Sequence, residues 1–344
     1  MNPCNCAGIN VTWACNWKCK HCFYRRSDSL HKPLHRPLSD IIAEAKAGKE
    51  RGCNRIVLIG QGEPMLHPEI NKIIASLTEL GLYSNIITNG SLPIGRYKEL
   101  FYAGLNHLQI SAHALDETLD VVTETPGAGE KQKELIEWLS FFKYPFRTNT
   151  SLQQLNYHHL LRTVFYLIEK GAFHVALLGF LPHYEWKQYA AEVAVHPKEL
   201  RPYIEAAADL LIDSGTYFTI RYHPFCHLSP EYWKYIVNAR YVLYDPWEWD
   251  YGFYNQDPDK VWPAAQAMGE SVAIQGYPCT ECCMKLHCGG WNKFYADTFQ
   301  GAGLTPLVRV PFEAWPVRNT PGGLHDLNAA NRLKGHCANG RPVQ

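Results

Sequence analysis

The stretch C-N-W-K-C-K-H-C at residues 15–22 decides how the rest of this chain is interpreted. It places Cys15, Cys19 and Cys22 within eight residues, directly after a short apolar run that predicts a strand. Three thiolates this close together can bind one iron–sulfur cubane and leave one iron without a protein ligand, open to a substrate or cofactor. The same spacing also fits a zinc site that is completed by His21 or by a distant cysteine.

Outside this stretch, the sequence alternates between strand-like and helical patterns. The apolar runs that predict strands are Ile9–Val11, Ile56–Ile59, Tyr83–Thr88, His107–Ser111, Phe146–Thr150 and Phe173–Phe180. Helical patterns lie between them, and several close at a glycine, as at Gly171 and Gly215. This alternation predicts an α/β fold with right-handed crossovers and parallel strands. Six units are too few for a closed barrel, so we expect an open, partial (β/α)6 barrel or a doubly wound sheet. Its chemistry should lie at the carboxyl ends of the strands.

Charge balance, apolar runs and the cysteine count bear on the partners and the cellular compartment of this protein. Lysine plus arginine (33) equals aspartate plus glutamate (33), so there is no electrostatic reason to expect a nucleic acid or a membrane as partner. No apolar run is long enough to span a bilayer, and the N-terminus lacks the layout of an export signal, which favours the cytoplasm. Twelve cysteines in a reducing compartment then indicate metal ligation or catalysis rather than disulfides.

A second group of cysteines lies near the C-terminus, in C-T-E-C-C-M-K-L-H-C at residues 279–288. Regular periodicity is lost after one more predicted strand, Tyr217–Tyr222, and proline and glycine punctuate the remainder. We therefore predict a partial barrel over residues 1–216 and a small, irregular, cysteine-rich module over 217–344 that a metal helps to order. A structural zinc site with His287 or Cys226 among its ligands is the alternative.

The first cysteine group, C-x3-C-x2-C followed by the aromatic Phe23, resembles the signature of the radical S-adenosylmethionine (SAM) superfamily. The resemblance implies a [4Fe–4S] cluster on Cys15, Cys19 and Cys22, whose open iron binds the amino and carboxylate groups of SAM. One electron then cleaves SAM to methionine and a 5′-deoxyadenosyl radical, which abstracts a hydrogen atom from the substrate. An electron donor such as flavodoxin or ferredoxin is implied as a partner, beside a small-molecule or peptide substrate.

Further motifs at predicted strand ends strengthen the resemblance, which covers residues 9 to about 182. I-G-Q-G-E-P at 59–64 is similar to the motif that approaches the methionine part of SAM, with Gln61 where a second glycine is usual. Taken singly, Asn89 suits an ordinary turn and His113 a satisfied polar residue. The residues that the resemblance assigns to cofactor binding are Gly62, Glu63, Pro64, Asn89, Ser111, His113, Asn149 and, next to adenine, Gly179.

The second group is similar to part of the auxiliary-cluster modules called SPASM and twitch. Asn292 stands where the full SPASM pattern has a cysteine, so one auxiliary [4Fe–4S] cluster is expected, on Cys279, Cys282 and Cys288. Cys226 is the first choice for the fourth ligand, and Cys283 and Cys337 are alternatives. If Cys226 is not a ligand, it could instead donate a hydrogen atom to a substrate radical, as in radical epimerases.

The substrate is the least determined part of the function. The aromatic segment 222–254 could line a pocket or could pack the second module. Its candidate lining residues are Trp233, Asp245, Trp247, Glu248, Trp249 and Asp250. We predict a radical enzyme of oxidoreductase or isomerase type that modifies a natural product, a sugar or a ribosomal peptide by epimerisation or oxidation. A non-catalytic zinc-binding scaffold or regulatory protein is the alternative function.

Overall fold

The fold is built on an open parallel sheet. The computed structural model describes residues 6–22, 34–50, 52–180, 192–237, 273–274, 277–285, 288–301 and 305–308. Within these residues, eight strands form one parallel sheet in chain order from β1 to β8, a curled half-barrel. The strands are β1 Cys6–Asn10, β2 Arg55–Ile59, β3 Tyr83–Thr88, β4 His107–Ile110, β5 Phe146–Leu152, β6 His174–Gly179, β7 Tyr217–Arg221 and β8 Ile236–Val237. The predicted α/β class and partial parallel barrel are thus confirmed.

Helices connect the strands, as the alternating pattern predicts. They are α1 Leu38–Glu50, α2 Ile70–Glu79, α3 Ile94–Tyr102, α4 Asp116–Thr123, α5 Ala128–Phe142, α6 Leu160–Glu169 and α7 Pro197–Asp213. The predicted glycine ends hold at α6 and α7: Gly171 has φ +80 and Gly215 has φ +69, a region that L side chains rarely adopt. Near the C-terminus, the two-residue strands β9 Ala273–Ile274 and β10 Trp291–Asn292 pair antiparallel before α8 Lys293–Thr298.

The described residues separate into two compact units. The first contains residues 6–151 and 162–176 where they are described, and the second contains 152–161, 177–237 and the described residues from 273 onward. The predicted module boundary at residue 216 stays a prediction. No helix in the described part of the chain has both the length and the apolar character needed to cross a membrane.

The register of the strands brings their carboxyl ends to one edge in the first unit. Asn10 of β1 pairs with Ile59 of β2, and Thr88 of β3 pairs with Ile110 of β4. Ile110 in turn lies opposite Thr148 of β5. Every residue of β4 is buried, as expected for a central parallel strand that is covered on both faces, and every residue of β1, the first strand in the sheet order, is buried as well. The loops after β1, β2, β3 and β4 therefore begin beside one another.

Candidate functional site

The first cysteine group lies on the loop that follows β1, as predicted. Cys15 is exposed, whereas Cys19 and Cys22 are half-buried. Although part of the Cys15 side chain is exposed, the protein packed around its thiol raises the pKa of that thiol to about 11. The nearby charges of Glu63 and Cys22 add to this rise. Three thiols, none of them fully buried, therefore lie on one loop that follows the carboxyl end of β1.

The cysteine loop is attached to helix α4. The backbone N–H of Lys18 donates to the Thr123 carbonyl oxygen (3.1 Å), and the N–H of Lys20 donates to the Val122 oxygen (3.0 Å). Directly before Lys18, the buried Trp17 packs in an apolar cluster with Cys19 at its edge. The other members of that cluster are Ala114, Leu119 and Ala128. Burial of the indole thus fixes the middle of a loop that otherwise carries polar and charged residues.

The loop after β2 touches the cysteine loop through backbone atoms. The N–H of Glu63 donates to the Ala14 carbonyl oxygen at 2.7 Å. A β-carbon added at Gly62 would stand 2.0 Å from that same oxygen, so no side chain fits there. Pro64 then begins a short 3-10 helix, Pro64–Leu66. Gly62 therefore carries the close approach, which explains how a glutamine is accommodated at position 61.

Glu63 joins the ends of β2 and β3 through its buried carboxylate. One oxygen accepts from the Thr88 hydroxyl (2.7 Å) and from the Met65 N–H (3.0 Å), and the other accepts from the Asn89 N–H (2.7 Å). Burial raises the pKa of this carboxyl to about 7, and the three hydrogen bonds oppose that rise because they favour the ionised form. With its oxygens engaged in this way, Glu63 orders the loops around the cysteines.

Asn89 is also engaged in holding loops together. Its side-chain N–H donates to the Asn16 side-chain oxygen (3.0 Å), and its own oxygen accepts from the Ser91 N–H (3.0 Å). Gln132, which is buried on α5, donates to the carbonyl oxygens of Asn89 (2.8 Å) and Ser111 (3.1 Å). The sequence analysis missed Asn16 and Gln132. A glutamine on the otherwise apolar face of α5 was the available signal for the second.

His113 lies behind the cysteine loop in an uncharged state. Its Nδ1 accepts from the Ser151 N–H (3.1 Å), and its ring meets the ring of His21 edge-on at 4.4 Å. Burial, and then the neighbouring His21, lower the pKa of His113 well below 6.5. Asn149 is half-buried in β5. The structure thus brings the cysteines, Gly62–Pro64, Asn89, Ser111 and His113 to one edge.

Cys226 and three cysteines of the second group line one cavity in the second unit. Cys226 lies in the 3-10 turn Phe225–His227, and Cys279, Cys282 and Cys288 reach the same cavity from far along the chain. Apolar side chains complete much of the wall, among them Phe225, Met284 and Leu307. Burial, followed by the charges of the other three cysteines, raises the pKa of the Cys226 thiol to about 12.

Backbone N–H groups point at these sulfurs. Gly290 donates to the Cys288 sulfur (3.4 Å), and Leu307 donates to the Cys282 sulfur (3.5 Å). Four thiols with N–H donors match what thiolate-bound clusters or zinc require. Cys283 does not line the cavity, and its N–H bonds to the Leu307 oxygen (2.8 Å) instead. Cys337 and His287 lie outside the described residues.

Two buried histidines hold the turn that carries Cys226. His227 Nε2 lies 2.8 Å from the Pro197 carbonyl oxygen, which can only accept, so this nitrogen carries the proton. His227 Nδ1 is then an acceptor for His223 Nδ1 at 3.0 Å. Burial, and then His227, lower the pKa of His223 well below 6.5. The ring of Trp291 packs edge-on against both histidines.

The other residues that the sequence predicts for the site are Gly179 and the candidate pocket residues of segment 222–254, and the structure describes only some of them. Gly179 ends β6 in the second unit, where an added β-carbon would stand 3.0 Å from His223 Nε2. Trp233 is fully buried and donates to the Leu228 oxygen (2.9 Å), so it packs the core and does not line a pocket. The candidate pocket residues that lie outside the described residues are Asp245, Trp247, Glu248, Trp249 and Asp250.

The donor sets fit thiolate-bound groups at both sites, and none of the described cysteines forms a disulfide. Among the described residues, no group of three or more His, Cys, Asp or Glu side chains is arranged to hold a single metal ion. The fit of a cluster therefore rests on the number and chemistry of the donors and on the N–H groups at the second site.

Comparison with known proteins finds a family match that covers most of the first unit. Residues 9–167 match the Radical SAM superfamily. Two similar proteins, both called AdoMet-dependent heme synthase, come from Methanosarcina barkeri (strain Fusaro / DSM 804) and Oleidesulfovibrio alaskensis (strain ATCC BAA-1058 / DSM 17464 / G20). The first is 30% identical to this chain over 49% of this chain and 49% of its own length. The second is 30% identical over 51% of this chain and 46% of its own length. The chain thus spans about half the length of these curated relatives.

Solved structures with a similar fold cover more of the chain. Streptococcus suis SuiB bound to its precursor peptide SuiA aligns with a TM-score of 0.62 and 17% identity, over 89% of this chain and 75% of that chain. Native anSMEcpe with bound AdoMet aligns with a TM-score of 0.59 and 16% identity, over 95% of this chain and 99% of that one. These likenesses show a shared fold.

Proposed function

We propose that this chain, which belongs to the radical SAM superfamily, abstracts a hydrogen atom from an organic substrate with a 5′-deoxyadenosyl radical. When bound to three thiols, a [4Fe–4S] cluster supplies an electron and an open iron, and so permits reductive cleavage of SAM. The observation that carries the proposal is the convergence of the Cys15, Cys19 and Cys22 loop with the ends of β2, β3 and β4 around the buried Glu63 carboxylate.

The residues of this site would share three tasks. Cys15, Cys19 and Cys22 would hold the cluster, and the backbone at Gly62 and Glu63 would form a wall close to it. Ser111, His113 and Asn149 would meet the polar parts of SAM, and Gly179 its adenine. Pro64 and Asn89 would set the shape of that wall and its neighbouring turn. Burial of these groups would keep water from the radical.

For the second site we propose a second [4Fe–4S] cluster on Cys226, Cys279, Cys282 and Cys288. The shared cavity and the N–H donors at Cys282 and Cys288 support it. With Cys226 among the ligands, its use as a hydrogen-atom donor would be excluded. A cluster of this kind would favour oxidation over epimerisation, since it can accept the electron that the substrate radical loses.

The substrate class would be a natural product, a sugar or a ribosomal peptide. The names of the similar proteins suggest a haem precursor and a peptide as further candidate substrates to test. An electron donor such as flavodoxin or ferredoxin would supply the reducing electron. We expect the enzyme to act in the cytoplasm, where its free thiols stay reduced.

The test is SAM cleavage by anaerobically reconstituted protein. With dithionite and SAM, the brown holoprotein should form 5′-deoxyadenosine, and C19A should not. C53A is the matched control because Cys53 is buried and precedes the amino end of β2, whereas the cysteine loop follows the carboxyl end of β1. Colourless protein with stoichiometric zinc, or 5′-deoxyadenosine from C19A, would contradict the proposal. Feeding deuterated candidate substrates and following deuterium into 5′-deoxyadenosine would then identify the substrate.

A further inference from the structure

Gln61 makes a contact that a glycine at its position could not make. Its side-chain oxygen accepts from the Trp13 indole N–H, and Trp13 lies two residues before the first cysteine of the loop. The backbone N–H of Gln61 donates to the Asn10 side chain at 3.0 Å, at the end of β1. Gln61 therefore joins the end of β2 to both the start and the middle of the β1 loop.

Asn16 makes a second tie on the opposite side of Cys15. Its side-chain N–H donates to the Ser91 hydroxyl (2.8 Å), and its oxygen accepts from the Asn89 side chain (3.0 Å). Asn89 and Ser91 are buried, although Asn16 itself is exposed. An exposed side chain that is engaged at both its donor and its acceptor by buried partners fixes the backbone that carries it.

Between these ties, the loop is held by its backbone. The Ala14 oxygen accepts from the Glu63 N–H (2.7 Å), and the Ala14 N–H donates to the Thr12 hydroxyl (3.1 Å). Residues 13, 14 and 16 are thus each anchored by hydrogen bonds to neighbouring loops, and the exposed Cys15 lies between them.

We propose that Gln61 and Asn16 are positioning residues that hold the cysteine loop in its ligand geometry before the cluster binds. The proposal rests on the proposed function for its consequence in catalysis, whereas its claim about the order of the loop can be tested on the chain without a cluster. Preorganised ligands lower the cost of binding, because the loop need not lose its freedom when the cluster arrives.

Hydrogen exchange of the anaerobic apo chain tests the ordering. Q61G, which restores the glycine that the family favours, and N16A should each speed exchange in residues 11–22 by roughly tenfold, because a local closing interaction is lost. Q61E keeps an acceptor for Trp13 and should recover most of the protection. N71A is the control for N16A, since Asn71 makes an equivalent side-chain bond to Glu99 (3.0 Å) on exposed helices.

Reconstitution of the same variants tests the catalytic consequence. Q61G and N16A should lower iron retention under a chelator and the rate of 5′-deoxyadenosine formation by roughly 10- to 100-fold, the usual effect of losing a residue that orients a ligand. Unchanged exchange and unchanged iron retention in Q61G would overturn the proposal. Should the wild-type protein form no 5′-deoxyadenosine, the proposed function fails, while the exchange data still decide whether Gln61 and Asn16 order the loop.

Discussion

The two cysteine sites are built in opposite ways. The first takes three thiols from one loop, with Cys15 exposed and hydrogen-bonded polar groups such as Glu63 and Asn89 around it. The second takes four thiols from segments more than fifty residues apart, Cys226 and 279–288, and encloses them with apolar side chains. Catalytic metal sites keep a coordination position open, whereas sites saturated by protein ligands are closed. Under the proposed function, substrate activation would belong to the first site and a supporting role to the second.

The largest effect that separates the sites is expected from the triple variant C15A/C19A/C22A. It should form no 5′-deoxyadenosine, yet it should keep about four of about eight irons per chain, because the second site would hold a cubane of its own under the proposal. Iron analysis and visible absorption after anaerobic reconstitution would measure this. Complete loss of iron would show that the second group binds no independent cluster, and the comparison would then fail.

The close backbone approach at the first site is tested by Gly62→Ala. The added β-carbon would stand 2.0 Å from the Ala14 oxygen, so the cysteine loop must move. A displacement of about 1 Å at a reacting group costs roughly 100-fold in rate, and we expect a loss of that size in 5′-deoxyadenosine formation. Gly95→Ala is the control, because nothing lies within 4 Å of the added β-carbon and the rate of 5′-deoxyadenosine formation should stay unchanged. Equal rates for both variants would contradict the geometry.

Cys226→Ala and Cys283→Ala separate the ligands of the second site. C226A should bring the iron content down to about four per chain, while SAM cleavage in the absence of substrate persists, because the first site is intact. C283A should keep all of its iron, since Cys283 does not line the cavity. Substrate turnover, once a substrate is known, should be lost in C226A alone. The reverse pattern would make Cys283 the ligand.

The smallest effect concerns a neutral histidine in each unit, His113 near the first site and His223 near the second. Burial lowers both pKa values well below 6.5. Below about pH 6.5 the unfolded histidine gains a proton that the folded one does not, so the free energy of unfolding falls as the pH falls. Each contributes a slope of up to about 1.4 kcal/mol per pH unit.

H113N and H223N should each flatten this slope while keeping a hydrogen-bonding group near the position of Nδ1. Urea unfolding of the apo chain between pH 7 and 5 would measure it. A slope equal to that of the wild type would mean that the histidine binds protons equally in the folded and the unfolded chain, so that folding does not lower its pKa. H159N, at an exposed histidine, is the control.

Local sequence determined the strands, the helix ends and the first cysteine site. The ranges Tyr83–Thr88 and Phe146–Thr150 could be predicted because strand periodicity and flanking glycines depend on neighbours in the chain. The spacing of Cys15, Cys19 and Cys22 likewise needs no distant residue to be recognised. A resemblance carried by short motifs at strand ends then predicted which loops converge.

Tertiary structure alone decided which distant residues meet. The sequence left Cys226, Cys283 and Cys337 open as the fourth thiol, and the fold brings Cys226 to the shared cavity. It also shows that Trp233 packs inside the core, and that Gln61 after β2 and Asn89 after β3 reach the loop that carries the cysteines. Spacing along the chain carries no information about such pairings, because they arise when parallel strands align their carboxyl ends and bring remote loops together.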